Sequence, residues 1–220
     1  MKPGHLCANF FILIPIVFLG TLPVYAANQP HLLADSALRD FIPTLKKGGY
    51  VIYMRHTATD HTQEDVQPVN LKDCTTQRML SETGRNQARW IGQAFRDMNI
   101  PIHEIHSSPF CRCIETAQLS FGAPQVNDSL YFVMSLTREE REKKSRILNE
   151  LLHKIPPGGT NEVIVAHTAN LQEAIGIWPK PEGVIHIFKS DDNHSFSEIY
   201  AVLPETWKTI TRKSGKDEIQ

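Results

Sequence analysis

Glycine and proline are present only in ordinary numbers, 12 and 14 among 220 residues, and no internal repeat is found. A collagen-like or low-complexity chain is thereby excluded. Net charge is almost lacking: 23 Lys and Arg stand against 24 Asp and Glu, a balance of −1. With 41 % hydrophobic residues, that rules out a disordered acidic tail and a strongly basic nucleic-acid binder. Long apolar stretches are missing apart from one, so a polytopic membrane protein is excluded too. What is left is a globular chain of one compact domain or at most two small ones.

The exception lies near the start. Lys2 gives a weakly basic opening, Phe10 to Gly20 reads FFILIPIVFLG, and Val24-Tyr25-Ala26 offers a cleavage site. These are the parts of a secretory signal peptide. The expectation is a signal over residues 1–26 and a single exported domain over residues 27–220, periplasmic or secreted, with no stable membrane anchor after cleavage. An uncleaved anchor is the alternative. Pro15, Pro23 and a core well short of about 20 residues argue against it.

Cys7 leaves with the signal, so the exported domain keeps Cys74, Cys111 and Cys113. Three thiols cannot all pair within one chain. Either Cys74 bridges one of the other two, or all three stay reduced and buried. No second Cys or His stands at ligand spacing beside Cys74, which argues against zinc.

The remaining pattern is α/β. Ser36 to Lys47 reads as a helix closed by Gly48-Gly49, and Tyr50 to Met54 as a short apolar strand. A loop with mixed charge runs from Thr57 to Thr76. Ser81 with Glu82 and Gly84 starts a helix whose Ala88, Ile91, Ala94 and Phe95 share one face. Ile100 to His106 is a second strand, followed by Ser107-Ser108-Pro109 and a helix through Ser120, with proline near its first turn. Leu136 to Ile155 is a charged amphipathic helix, its run from Thr137 to Arg146 a solvated face. Glu162 to Ala166 is a third strand. Gly183 to Lys189 and Phe196 to Leu203 are two more, around a turn at Asp191-Asp192-Asn193, and a helical turn over Pro204 to Ile210 precedes a polar tail. Strands separated by helices imply a mainly parallel sheet covered on both faces, a three-layer α/β/α sandwich. Ligands in such sheets bind at the carboxyl ends of the strands.

Three of those ends carry chemistry. Arg55-His56 follows the first strand, His167 follows the strand ending at Ala166, and Ser107-Ser108-Pro109 leads to Arg112 in the first turn of a helix. Two arginines and two histidines should therefore meet at one rim, with a helix N-terminus aimed into it. Guanidinium forks and free backbone N–H groups bind phosphate oxygens. Imidazole can attack or donate a proton near neutral pH.

These residues resemble the histidine phosphatase superfamily, the phosphoglycerate-mutase-like fold. Its Arg-His-Gly appears as Arg55-His56-Thr57, and its Leu-(x)3-Gly-(x)2-Gln-Ala as Leu80 through Gly84 and Gln87 to Ala88. Its Ser-Ser-Pro-x-x-Arg-x-x-x-Thr-Ala runs from Ser107 through Arg112 to Thr116-Ala117, and its late histidine is His167. The resemblance spans about Tyr50 to Leu203. One such motif is weak, and four in order are strong.

The resemblance implies a phosphomonoesterase working in two steps. His56 attacks phosphorus in line, Arg55, Arg112 and His167 hold the equatorial oxygens together with Thr57, and water then hydrolyses the phosphohistidine. No cofactor or metal is implied, because the cationic pocket supplies the electrostatics. The partner is a small phosphorylated substrate and not a nucleic acid. An exported enzyme would meet envelope sugars or other exported phosphoesters, and a chain without a large inserted cap would leave its pocket open.

Two departures bear on catalysis. Thr57 replaces the motif's glycine. The mutase-type branch carries a glutamate some way after the Ser-Ser-Pro helix, where this chain reads Asp128 to Val133; the phytase-type branch carries an aspartate after the late histidine, where Thr168 stands. The first substitute as leaving-group acid is Asp60 and the second Glu182; the plainer reading of each is a solvated loop carboxylate. A non-catalytic phosphate-binding module is the rival for the whole site. A metal site on His56, His61 and His167 is disfavoured by the neighbouring arginines. Asp73, Gln77 and Arg78 flank Cys74 and either line the pocket mouth or cap the next helix.

Overall fold

A computed structural model describes residues 32–191 and 196–217. The signal expected over residues 1–26 and most of the turn at Asp191-Asp192-Asn193 lie outside them. Six strands form one sheet: β1 (Val51–Arg55), β2 (Ile102–Ser107), β3 (Gln125–Val126), β4 (Asn161–Ala166), β5 (Ile185–Ser190) and β6 (Phe196–Val202). The helices are α1 (Asp35–Leu45), α2 (Glu82–Asp97), α3 (Cys111–Ser120), α4 (Arg138–Leu152), α5 (Thr168–Ile175) and α6 (Pro204–Asp217). Among the described residues, no helix is long and apolar enough to cross a membrane.

The strands lie in the order β3-β2-β4-β1-β5-β6. The first four are mutually parallel, β5 runs antiparallel to β1, and β6 antiparallel to β5. The mixed-α/β, mainly parallel fold class expected from the sequence is what the chain adopts. β1 and β4 occupy the centre, and their near-continuous buried runs, Val51 to Met54 and Asn161 to Ala166, are the signature of strands covered on both faces.

Alternate residues of each strand enter opposite cores. On one side Ile52, Met54, Val163, Val165 and Ile187 pack with Leu38, Ile91, Phe95, Ala117 and Trp207, so α1, α2, α3 and α6 form that layer. On the other, Val51, Tyr53, Ile164 and Phe188 pack with Leu148, Leu152 and Leu171 of α4 and α5. At the amino ends of the strands Asn161 joins three segments: its Nδ2 donates to Leu45 O (3.0 Å) and Pro101 O (2.9 Å), and its Oδ1 accepts from Tyr50 N.

Helix starts follow their caps. Ser81 Oγ accepts from Gly84 N at the head of α2, and Thr137 with Glu140 makes a reciprocal capping box at the head of α4. Predicted and observed elements differ mainly at their ends, with three exceptions. α5 and the two-residue β3 have no counterpart in the sequence pattern, and α6 continues past Ile210 to Asp217. α5 spans only eight residues and stops at Gly176, whose φ of 77° closes it in the left-handed region.

Candidate active site

The register that places the site is the pairing of β1 with β4, which sets Arg55 opposite Ala166. The residues that follow, His56 and His167, therefore leave the sheet side by side, with ring centroids 5.4 Å apart. β2 lies on the other flank of β4, with Ser107 opposite Val165, and brings Ser108 and α3 to the same rim. A cavity of about 400 Å³ opens there. Arg55, His56, Arg112 and His167 line it with Asp65 and Arg78; Phe132, Met134, Trp178 and Lys180 also face it. Thr168 and Ala169, the first residues of α5, form part of the wall, so the positive end of that helix dipole abuts the cavity. A hollow along α4 between Arg146 and Lys154 is larger, about 600 Å³, but contains none of these groups.

His56 is enclosed, and its Nδ1 lies 3.0 Å from Thr57 O. A carbonyl oxygen can only accept, so Nδ1 carries the proton and Nε2 keeps its lone pair. Burial holds this imidazole well below the usual histidine range, and the guanidinium of Arg112 presses it lower. The ring is thus neutral at neutral pH, with one unprotonated nitrogen.

His167 stands at the residue before α5 and is also buried. Its Nε2 lies 2.8 Å from Ser108 Oγ, and the buried Tyr53 hydroxyl donates to its carbonyl at 2.6 Å. Phe110 and Phe132 pack against its ring. Burial again holds it well below the ordinary value, with Arg112 and His56 next in effect.

The arginines are held by carboxylates. Arg55 Nη2 donates to Glu182 Oε1 at 3.2 Å and Nη1 to Pro179 O at 3.3 Å. Arg112, with a side chain 2 % exposed, donates from Nη1 to both oxygens of Asp65 at 2.9 and 3.2 Å. Its guanidinium also stacks 4.5 Å over the Phe110 ring. Arg78 N–H donates to Asp65 Oδ1 at 2.9 Å.

The loop after His56 is clamped by the second motif. Gly84 packs so closely on it that a Cβ there would lie 1.9 Å from Ala58 O. Gln87 Oε1 accepts from Ala58 N, while Ser81 donates to Ala58 O from both its backbone N–H and its hydroxyl. Thr116 Oγ1 accepts from Thr57 N at 3.2 Å, so the third motif's threonine serves the first motif's loop. Gly183, at φ 81°, donates its N–H to His56 O. Motifs far apart in sequence thus converge to hold one backbone turn rigid.

The structure brings together Arg55, His56, Arg112 and His167. It does not bring Thr57 into the cavity: its hydroxyl faces Thr116 Oγ1 at 3.1 Å, and it does not line the wall. Asp60 lies outside the cavity, its Oδ1 accepting from the N–H and hydroxyl of Thr62, bonds that hold its carboxyl below the usual range. Glu182 stands behind Arg55 and also accepts from Thr59 N and Thr59 Oγ1. His61 is largely exposed, 3.4 Å from Glu182, so the three-histidine metal grouping does not assemble. The N-terminus of α3 is partly capped from within, since Gln77 Oε1 takes the Cys111 N–H. Asp73 caps a short turn. Cys74 bonds Cys111, settling the pairing left open by the sequence, and Cys113 stays free and buried, its thiol pushed up to about 12 by burial.

Sequence reasoning missed Asp65, Trp178, Lys180 and the start of α5. None sits in a motif. Asp65 is one acid among several in a charged loop, and only the fold turns it inward.

Residues 51–128 match the family model of the histidine phosphatase superfamily, branch 1. No curated protein matches the chain by sequence. Among solved structures, the chain is similar to the open reading frame Rv3214 from Mycobacterium tuberculosis, at 15 % identity and a TM-score of 0.52, covering 71 % of this chain and 98 % of that one. It is similar as well to a phosphoserine phosphatase of Entamoeba histolytica. A mutant of that enzyme with phosphoserine gives 15 % identity, a TM-score of 0.50 and coverage of 71 % and 98 %. The complex with 3-phosphoglyceric acid gives 16 %, 0.50, and 72 % and 98 %. At these identities the likeness establishes the fold. The chain thus resembles the histidine phosphatases in its motifs, in the matched family model and in its architecture.

Proposed function

From that resemblance and the chemistry of the cavity, we propose that the chain is a phosphomonoester phosphatase that passes the phosphoryl group through His56. The observation that carries this reading is the state of His56: neutral, fixed by its Nδ1 bond to Thr57 O, and lining a cavity with Arg55, Arg112 and His167.

In the first step Nε2 bonds to phosphorus as the ester P–O bond breaks. In the second, water bonds to phosphorus as the N–P bond breaks, releasing inorganic phosphate. Arg55 and Arg112 hold the equatorial oxygens and take up the charge developing there. His167 donates to a third oxygen, and the arriving dianion favours its protonated form. Arg55, Arg78, Arg112 and Lys180 face the cavity against one carboxylate, Asp65, so the protein's own cations supply the electrostatics and no metal ion is called for.

Trp178 and Met134, both well exposed at the rim, suit a substrate whose alcohol half has an apolar face. Lys180 suits one with a further negative charge. Taken with the signal read over residues 1–26 and the Cys74–Cys111 disulfide, which fits an oxidising compartment, the substrate is an exported or envelope phosphoester, a small molecule or sugar.

Hydrolysis of p-nitrophenyl phosphate in the presence of EDTA tests the reading. Turnover should survive the chelator and vanish in His56→Ala, and an acid-labile phosphoprotein should be trapped in the unmodified protein only. Absence of turnover from about pH 5 to 8, with phosphate still bound, would leave a phosphate-binding module instead.

A further inference from the structure

We propose that Asp65 is the acid that protonates the leaving oxygen, and that the substrate's own phosphate frees it for that task. This rests on the phosphatase reading above and supplies a step left without a residue, since neither Asp60 nor Glu182 faces the cavity.

Three observations carry it. Among the described residues, Asp65 is the one carboxylic acid lining the cavity. Both of its oxygens sit on Arg112 Nη1, at 2.9 and 3.2 Å, where the guanidinium is almost wholly buried and the carboxylate 17 % exposed. Its loop is fastened in place, because Oδ1 accepts from Arg78 N and the same loop is joined to α3 through Cys74–Cys111, next to Arg112.

The carboxylate is therefore the resident anion on a phosphate-binding arginine. A phosphate dianion arriving at Arg112 competes for that Nη1, so Asp65 exchanges a cationic partner for an anionic neighbour and takes up a proton from solvent. Both changes favour its protonated form. Arg78, Arg55, Lys180 and the two histidines are the other charged or titratable groups facing the cavity. Of these, only the backbone of Arg78 bonds Asp65.

The proton balance closes. As the His56 N–P bond forms and the ester P–O bond breaks, the leaving oxygen takes the Asp65 proton and departs as an alcohol. The carboxylate then takes a proton from the water that attacks phosphorus, the N–P bond breaks, and inorganic phosphate leaves. Asp65 ends protonated and, once phosphate has gone, releases its proton to solvent as it returns to Arg112.

The test compares two substrates in Asp65→Asn and Asp65→Glu. Nitrophenolate leaves without protonation, whereas the alkoxide of an alkyl phosphate such as glycerol 3-phosphate does not. Asp65→Asn should lower kcat on the alkyl ester by about 10²- to 10³-fold and on p-nitrophenyl phosphate by far less, and Asp65→Glu should restore part of the alkyl activity. Equal losses on both esters would mean that Asp65 only positions Arg112, and no loss on either would mean no role; each outcome overturns the proposal while the phosphatase reading stands. Inactivity of the unmodified protein toward both esters would overturn the phosphatase reading, and this step with it.

Discussion

Replacing Glu182 by alanine separates a residue that holds the site from one that works in it. Its carboxylate accepts from Arg55 Nη2, Thr59 N and Thr59 Oγ1 at 3.2, 3.1 and 3.0 Å, and the Arg55 and Glu182 side chains are only 16 % and 11 % exposed. Removing one partner of an enclosed pair leaves an uncompensated charge, a loss of about 3–5 kcal/mol. The residual exposure of both groups places this case near the lower end, about 3 kcal/mol. For a domain of this size each kcal/mol moves the midpoint by about 2–4 °C, so Glu182→Ala should melt roughly 6–12 °C lower. Glu182→Gln keeps an acceptor for Thr59 and should lose roughly half as much. In Glu182→Ala, Arg55 retains the Pro179 carbonyl as its one side-chain partner among the described residues, and its drift from the proposed phosphate position should lower kcat/KM by up to about 10²-fold, equally for aryl and alkyl phosphates. Calorimetry and steady-state kinetics read both effects. An unchanged melting temperature would refute the account of the pair. A loss confined to alkyl esters would make Glu182 the acid and displace Asp65.

Gly84→Ala forces a Cβ to within 1.9 Å of a backbone carbonyl, which cannot rotate away; a cost of at least about 2 kcal/mol and a fall in kcat should appear together, and a variant of normal stability would show that α2 does not pack on the Ala58 turn. Cys74→Ser removes a cross-link between residues 37 apart in sequence, for which chain entropy gives about 4 kcal/mol; a chemical melt should show the loss, and the loop bearing Asp65 and Arg78 should exchange its amides faster. The two cavity histidines should stay neutral in the ligand-free protein well below pH 6.5, because both are held low by burial and by Arg112. Below about pH 6.5 the unfolded chain binds protons that the folded one refuses, so stability should fall with acidification, by up to about 1.4 kcal/mol per pH unit for each ring. An imidazole NMR titration with a midpoint near 6.5 for either ring would contradict this.

How much of this was legible in the sequence follows from where the determinants lie. Short apolar strands, capped helices and their alternation are local properties, and they lead to a three-layer α/β fold with Arg55, His56 and His167 at strand ends and Arg112 in the first turn of the helix after a third. A parallel β1–β4 pair places His56 beside His167 without further information, because the residue after each strand must leave at the same edge. The antiparallel turn of β5 and the eight-residue α5 had no such signature, being fixed by what covers β1 and by the Gly176 stop. The site was divided in the same way. Arg55, His56, Arg112 and His167 sit in motifs. The carboxylates that hold them do not: Glu182 and Asp65 reach Arg55 and Arg112 across 127 and 47 residues of chain. Which acid enters the cavity, and which cysteine pairs with Cys74, is set by the path of the loop over the rim. That path depends on long-range contacts such as Gly84 against Ala58 and Gln77 against Cys111, which have no local pattern to read. The sequence by itself determined the sheet edge and the two arginines and two histidines that meet there, and only the tertiary structure decided which carboxylate lines the cavity beside them, because that depends on contacts between residues far apart in the chain.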